Sequence, residues 1–139
     1  MRLLRAATAS IVLCVLAITW NGVLHLLILR RANEPLQRLR RTDLSSPVAL
    51  SLVLTVGICL LFVWGYSHVA RTGTLREGVA YGFFMGLFAA FLVDLNQYLI
   101  YPLPFSLVLA WFAAGVLEFT LYGAVISRFF PLRSFRAGA

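Results

Sequence analysis

Residues 78–98 read GVAYGFFMGLFAAFLVDLNQY and carry small residues at a constant spacing of four. The four small residues, which form one stripe along a helix, are Gly78, Gly82, Gly86 and Ala90. In a bilayer such a stripe lets a neighbouring backbone approach closely, so we expect it to be a helix-packing face. The same register continues to Asp94 and then to Tyr98. The stretch therefore predicts a central transmembrane helix with a carboxyl at the end of its packing face.

The composition indicates an integral membrane protein. The chain has 139 residues, of which 61% are hydrophobic and only 12% are charged. Soluble domains carry roughly a quarter charged residues. A soluble chain of this length would bury only about two-thirds of its unfolded surface, which leaves too much apolar surface in water. We therefore expect the lipid bilayer to be the surroundings of this chain.

The charge distribution favours a membrane over nucleic acid. The net charge of +7 comes from arginine alone, since the chain has no lysine. The arginines lie between apolar runs, where they would flank membrane spans and contact anionic headgroups, so no nucleic acid partner is expected. The absence of lysine fits a GC-rich genome and hence a bacterial source, with the cytoplasmic (inner) membrane as the location.

Hydropathy divides the chain into four predicted spans, each close to the roughly 20 residues that a bilayer requires. The spans cover about residues 6–29, 48–70, 79–101 and 105–130. The predicted fold is all-α, with a single domain over residues 1–139 that forms a four-helix transmembrane bundle. Residues 30–47 form the only long polar segment, which is either a short helix on the membrane surface or a solvated loop.

Four spans put both termini on the same side of the membrane. The two sides would carry seven and five arginines respectively, namely Arg2, Arg5, Arg71, Arg76, Arg128, Arg133 and Arg136 against Arg30, Arg31, Arg38, Arg40 and Arg41. The positive-inside rule therefore predicts cytoplasmic termini. The turn at 101–104 carries no charge, which indicates the same orientation.

Two short patterns predict features near the predicted inner surface. Trp64, Tyr66 and His68 lie at the end of the second span, where aromatic side chains are typical of the membrane interface. Thr74, followed three residues later by Glu77, predicts a capping box at the start of the third span.

Asp94 and Glu118 are the two acidic residues inside the predicted spans. Counted from the turn at 101–104 at about 1.5 Å per residue, Asp94 lies roughly 10 Å and Glu118 roughly 20 Å below the outer surface. Ionisable groups inside a bilayer are costly unless they face protein or water, so both are candidates for a proton or ion site. Alternatively, each is a neutral group hydrogen-bonded between helices, or a contact to a partner subunit.

Other polar residues extend this candidate site. Asn21 and His25 lie four residues apart near the outer end of the first span, at depths that bracket that of Asp94. A cluster of these two residues with Asp94 and Asn96 is one geometric option, and an interfacial role for His25 is the other. Because Asp94 and Glu118 lie too far apart in depth to share a proton, a bridge is needed. Its candidates are Asn96, Tyr98, Tyr122 and water.

The sequence predicts no cofactor, no metal and no enzyme. His25 and His68 lie near opposite membrane surfaces in antiparallel spans, so a haem held by both is excluded, while a tetrapyrrole on a single histidine stays open. Zinc needs three or four convergent ligands, which these spans lack. No catalytic or nucleotide-binding motif is present.

The second half of the chain carries a pattern of its own. GxxxGxxxGLF at 78–88 is followed by DLN at 94–96 and by Gly123 near the end of the fourth span. This pattern, over roughly residues 76–127, resembles small bacterial four-span membrane proteins of unknown function. The resemblance implies the four-span architecture and no particular activity.

These observations lead to three functional hypotheses. The first is a small non-catalytic accessory, assembly or stabilising subunit of a larger bacterial membrane complex, because the loops are short and no catalytic constellation is present. The alternative is a small proton- or ion-coupled transporter that acts as a homo-oligomer and depends on Asp94 and Glu118. The third is a membrane enzyme acting on lipid or quinone, with His25 or His68 as base. The expected partners are other membrane subunits or a second copy of the chain.

Overall fold

The computed structural model describes residues 2–34, 36, 43 and 46–130. Four helices in it are long and apolar enough to cross a membrane. We call them spans 1 to 4, and they cover Leu3–Ile28, Pro47–Val69, Leu75–Ile100 and Phe105–Ile126. The predicted all-α architecture is confirmed, and no strand occurs in the part of the chain that the structure describes.

Two of the spans change helix type along their length. Span 1 is an α-helix over Arg2–Gly22 that continues as a π-helix over Val23–Ile28. Span 3 is α-helical over Leu75–Ala90, π-helical over Phe91–Leu95 and α-helical again over Asn96–Ile100. Spans 2 and 4 are α-helical throughout. Since π-helical turns are frequently found at functional sites, the residues on both segments are candidates for a functional role.

The polar segment predicted at 30–47 lies mostly outside the described residues. At its start, a four-residue helix covers Arg30–Asn33. The basic residues after position 130 also lie outside the described part of the chain.

Span 3 begins earlier than hydropathy predicts, at Leu75 rather than at 79, because Thr74 caps a helix whose first turn is charged. The Thr74 hydroxyl accepts the backbone N–H of Glu77 at 3.3 Å. The Glu77 carboxylate does not return to Thr74 as in a capping box. It accepts the backbone N–H groups of Arg71 at 2.6 Å, Thr72 at 2.9 Å and Gly73 at 2.7 Å. Gly73 has φ 61°, a left-handed conformation that favours glycine.

Spans 3 and 4 form the closest helix pair in the bundle. The small residues Gly78, Gly82, Gly86 and Ala90 are all buried. A Cβ atom on Gly82 would overlap the carbonyl oxygen of Phe119, and one on Gly86 would lie 2.9 Å from the Cα atom of Val116. Side chains on this face of span 3 would therefore force the two backbones apart.

The π-helical segment ends this four-residue register. A π-helix has more residues per turn than an α-helix, so the face that begins at Gly78 does not continue unchanged beyond Ala90. Asp94 is half-buried, and Tyr98 is 40% exposed and lies edge-on to Phe105 at 5.4 Å. The stripe thus stays a packing face for only three helical turns.

Spans 1 and 2 add to this pair through an aromatic core. Phe62 of span 2 lies at ring distances of 4.9 Å from Tyr81, 5.7 Å from Phe119 and 5.8 Å from Tyr122. The core also contains Leu13 of span 1, which is fully buried. Offset and edge-to-face contacts of this kind add to the burial energy of the rings.

The interfacial prediction for the end of span 2 needs one correction. Trp64 is 62% exposed and its ring lies 4.5 Å from that of His68, which is also exposed. Tyr66 is instead fully buried, because it lies on the face of span 2 that carries Phe62 and points into the bundle. Its ring contacts Tyr81 at 5.4 Å.

Most apolar surface of the four spans faces outward. In the most apolar window of each span, between 11% and 22% of the residues are buried within the chain. The remaining side chains would face water in a soluble protein, at a cost of about 25 cal/mol per Å². The fold therefore requires lipid or other apolar partners around it.

Candidate functional site

Glu118 of span 4 is a buried carboxyl group, 8% exposed. The Asn21 Nδ2 of span 1 donates a hydrogen bond to its Oε1 at 2.7 Å. The hydroxyl of Tyr122 donates a second, short hydrogen bond to the same oxygen. No donor among the described residues reaches the other oxygen, Oε2. The carboxyl is thus held from one side only.

The local structure explains why these three groups meet. Glu118 and Tyr122 are separated by one helical turn, so their side chains lie on the same face of span 4. Asn21 lies in the last α-helical turn of span 1, and its second N–H donates to the carbonyl of Ala17 at 3.0 Å. Both N–H groups of the amide are therefore used, and its orientation is fixed toward Glu118.

These residues form one wall of a cavity of about 500 Å³, which we call the Glu118 cavity. Spans 1, 2 and 4 line it with Ala17, Ile18, Asn21, His25, Ser51, Leu52, Thr55, Ile58, Cys59, Glu118, Phe119 and Tyr122. Half of these residues are polar, an unusual share for the inside of four apolar helices. A cavity of this size is in the range of small-molecule sites, roughly 300–1,000 Å³.

The cavity lies where span 2 separates from the rest of the bundle. The buried residues of span 2, Cys59, Phe62, Val63 and Tyr66, are all in its second half. Residues 47–54 in the first half are exposed. The described part of the chain therefore leaves the first half of span 2 uncovered and the cavity partly open.

His25 is a further polar group in the cavity wall. It lies on the π-helical segment of span 1, edge-on to Trp111 of span 4 at a ring distance of 6.4 Å. Its Nδ1 lies 3.2 Å from the amide nitrogen of Asn33, in the short helix that follows span 1. Because Nδ1 is engaged outside the cavity, Nε2 is the ring nitrogen that remains for a ligand.

Asp94 is not part of this cavity. It lies on the π-helical segment of span 3, and its Oδ2 is 3.9 Å from the position that a Cβ atom on Gly115 would take. Among the described residues, no hydrogen bond joins it to Asn21, His25 or Asn96. The structure thus gives no cluster of these four residues, because Asn21 turns to Glu118 and His25 turns to Asn33.

Of the three candidate bridging side chains, Tyr122 is the one that contacts a carboxyl within the described part of the chain. Asn96 is exposed, and the Tyr98 ring lies against Phe105. Sequence reasoning missed Ser51 and Thr55, which face Glu118 from span 2 across the cavity. Their signal was present, since two hydroxyl residues four positions apart fall on one face of an otherwise apolar helix.

The arrangement also limits the chemistry of the histidines. His25 lines the Glu118 cavity, and His68 lies at the opposite end of the bundle beside Trp64. Within the described ranges, no group of three or more His, Cys, Asp or Glu side chains lies close enough together to hold a metal ion. The polar side chains near Glu118 carry hydroxyl, amide and phenol groups. Their oxygen atoms are ligands that suit a proton or a hard cation.

No protein-family model matches the chain, and comparisons with curated proteins and with solved structures gave no match.

Proposed function

We propose that the protein is a small proton- or cation-coupled membrane carrier whose binding group is Glu118. The observation that carries this proposal is a buried carboxyl at the wall of a cavity that five other polar side chains also line, with both of its described hydrogen-bond donors on the same oxygen. Ionisable groups inside membrane helices are retained mainly where they bind or relay ions. No enzymatic step is part of the proposal.

The donor set supports binding at the second carboxyl oxygen. Asn21 and Tyr122 hold Oε1, so Oε2 is available to a proton or a cation. Thr55 donates its hydroxyl hydrogen to the Ser51 carbonyl at 2.9 Å, which leaves the oxygen lone pairs of Thr55 as acceptors for a cation in the cavity. Oxygen ligands of this kind are the ones that hard cations prefer.

A homo-oligomer would complete the cavity. Its open side coincides with the uncovered first half of span 2, residues 47–54. A second copy can bury apolar surface there and exclude lipid from Glu118. Four short helices alone enclose little volume, so pairing also enlarges the pathway. We place this assembly in the bacterial inner membrane with cytoplasmic termini, on the basis of the arginine distribution.

The test is ion flux into proteoliposomes that contain the purified protein. Proton entry, driven by a potassium gradient with valinomycin, is followed with an enclosed pH-sensitive dye, and radioactive sodium is used in parallel. We expect flux above that of empty liposomes for the unaltered chain and loss of that flux in Glu118→Gln. Asp94→Asn, which changes a carboxyl outside the cavity, is the matched control and should keep most of the flux.

Two results would contradict the carrier. One is no flux of either ion above empty liposomes for the unaltered chain. The other is full flux in a Glu118→Gln variant that keeps the elution volume and melting temperature of the unaltered protein.

A non-catalytic accessory subunit is the second candidate, and the uncovered apolar face of span 2 favours it. In this case a helix of a larger complex covers residues 47–54, and Glu118 holds spans 1 and 4 together without binding an ion. The mass of the native particle, extracted from its own membrane in mild detergent, separates the candidates. A large particle of several proteins supports the subunit, and a particle of one or two copies supports the carrier.

A further inference from the structure

A second cavity, separate from the Glu118 cavity, lies between spans 1 and 2 at the opposite end of the bundle. It has a volume of about 890 Å³. The start of span 1 and the end of span 2 line it, so it opens at the headgroup level on the side where the chain begins. We call it the Arg5 groove.

The Arg5 groove is polar at its mouth and apolar below. Arg5, Ser67 and His68 lie near the ends of their spans, while Leu60 and Leu61 lie deeper. From His68 to Leu60 the groove follows eight residues of span 2, which is roughly 12 Å at 1.5 Å per residue. An occupant must therefore combine a polar head with an apolar tail.

The charge at the mouth selects an anionic head. Within the described residues, Arg5 forms no ion pair. Glu77, the acid nearest in sequence to this end of span 2, does not line the groove, and its carboxylate is hydrogen-bonded to three backbone N–H groups of the turn. The ring of His68 uses Nδ1 to donate to the Trp64 carbonyl at 2.8 Å, which leaves Nε2 as a hydrogen-bond acceptor and Arg5 as the group that attracts an anion. The mouth thus carries a guanidinium that has no ion-pair partner among the described residues.

Ser10 supplies an independent observation deeper in the groove. It is 6% exposed, and its Oγ has no hydrogen-bond partner within the described ranges. Other hydroxyl residues in the spans behave differently, since Thr8, Thr19 and Thr55 each donate to the carbonyl four residues earlier. A buried hydroxyl left without a partner costs about 1–3 kcal/mol, so this one indicates an acceptor that the occupant brings.

We propose that the Arg5 groove binds one anionic glycerophospholipid. The phosphate would lie at Arg5, an ester carbonyl would accept the Ser10 hydroxyl, and an acyl chain would lie along Leu60 and Leu61. Ser10 is five residues deeper than Arg5, roughly 8 Å, which agrees with the order of phosphate and ester in such a lipid. An apolar helix in the same place would leave Arg5 unpaired, which disfavours a protein occupant.

The experiment measures the melting temperature of the delipidated protein in mild detergent as single lipids are added. Phosphatidylglycerol should raise it at concentrations at least about fivefold lower than phosphatidylcholine, the ratio expected from roughly one arginine–headgroup contact. In Arg5→Gln this preference should disappear. Arg76→Gln removes an exposed arginine on the same side but outside the groove, and it should keep the preference.

Ser10→Ala is the second variant and makes only a small structural change. Without lipid its melting temperature should equal or exceed that of the unaltered chain, because the unpaired hydroxyl is gone. The rise caused by phosphatidylglycerol should nevertheless be smaller. A melting temperature that is unchanged or higher without lipid, together with a smaller rise on adding phosphatidylglycerol, is not expected of a residue that only stabilises the fold.

Three results would overturn the proposal. Equal effects of the two lipids on the unaltered chain would remove the anionic site. If Arg5→Gln and Arg76→Gln reduced the preference for phosphatidylglycerol equally, the preference would come from the general surface charge and not from the groove. An equal stabilisation by inorganic phosphate, without any lipid, would assign the groove to a free anion.

Discussion

Gly78 and Gly123 lie face to face between spans 3 and 4, and a Cβ atom on either would overlap the carbonyl oxygen of the other. Neither position can carry a side chain unless the helices separate. Helix association in a bilayer depends strongly on such close backbone packing. This pair therefore sets the distance between the two spans that carry Asp94 and Glu118.

We expect Gly123→Ala to destabilise the bundle. The added methyl group would meet the backbone of Gly78 and that of Gly82, which is too rigid to yield, and overpacking of this kind costs about 1–3 kcal/mol. The free energy of unfolding, measured by titration with sodium dodecyl sulfate in a mild detergent, should fall by that amount.

The control is Gly57→Ala, in the middle of span 2. No atom of the residues that the structure describes lies within 4 Å of a Cβ at Gly57, and alanine is favoured over glycine in a helix by up to about 1 kcal/mol. Its stability should stay the same or rise. Equal destabilisation of the two variants would contradict the close approach at Gly123.

The packing face of span 3 could be predicted because it depends only on the spacing of residues along one helix. A spacing of four determines which side chains share a helix face, and Gly78, Gly82, Gly86 and Ala90 are buried together in the structure. The cap of span 3 is local as well, although Glu77 turns to the preceding loop instead of to Thr74.

The Glu118 site follows from contacts that local rules do not contain. Asn21 and Glu118 are separated by 97 positions, so their hydrogen bond depends on how spans 1 and 4 are oriented. Depth along the membrane made Asp94 a candidate partner of Asn21. Depth alone gives no information on how each helix is rotated about its axis. The π-helical segments add a rotation of their own, and no proline or glycine within Val23–Ile28 or Phe91–Leu95 marks them.

Tyr122→Phe should lower stability without changing the backbone. It removes the hydroxyl donor to Glu118 and keeps the ring contact with Phe62, so the expected loss is about 1–2 kcal/mol. Tyr98→Phe is the matched variant, because its hydroxyl makes no hydrogen bond within the described residues. Its effect should stay within about 0.5 kcal/mol. A loss in Tyr98→Phe as large as that in Tyr122→Phe would argue against the Glu118 contact.

Glu77→Gln should loosen the turn between spans 2 and 3. A carboxylate that accepts three backbone N–H groups is a strong partner, since hydrogen bonds to charged groups contribute about 1.5–3 kcal/mol. Glutamine keeps one acceptor oxygen and loses the charge, so the melting temperature should fall. Glu34→Gln, at an exposed position, should leave it unchanged. An unchanged melting temperature in Glu77→Gln would mean that the turn is stable without this carboxylate.

Water should reach the Glu118 cavity, and cysteine labelling can test this. In a chain with Cys14 and Cys59 replaced by alanine, a charged, membrane-impermeant methanethiosulfonate should modify Thr55→Cys, because position 55 lines the cavity. It should not modify Leu54→Cys, because Leu54 is 58% exposed on the outside of the bundle, where lipid or a second copy of the chain would cover it. Thiols react as thiolates, which form in water and not in hydrocarbon, so adjacent positions at nearly equal depth should differ. Equal labelling of both positions, or of neither, would contradict a water-filled cavity and with it the route of an ion to Glu118.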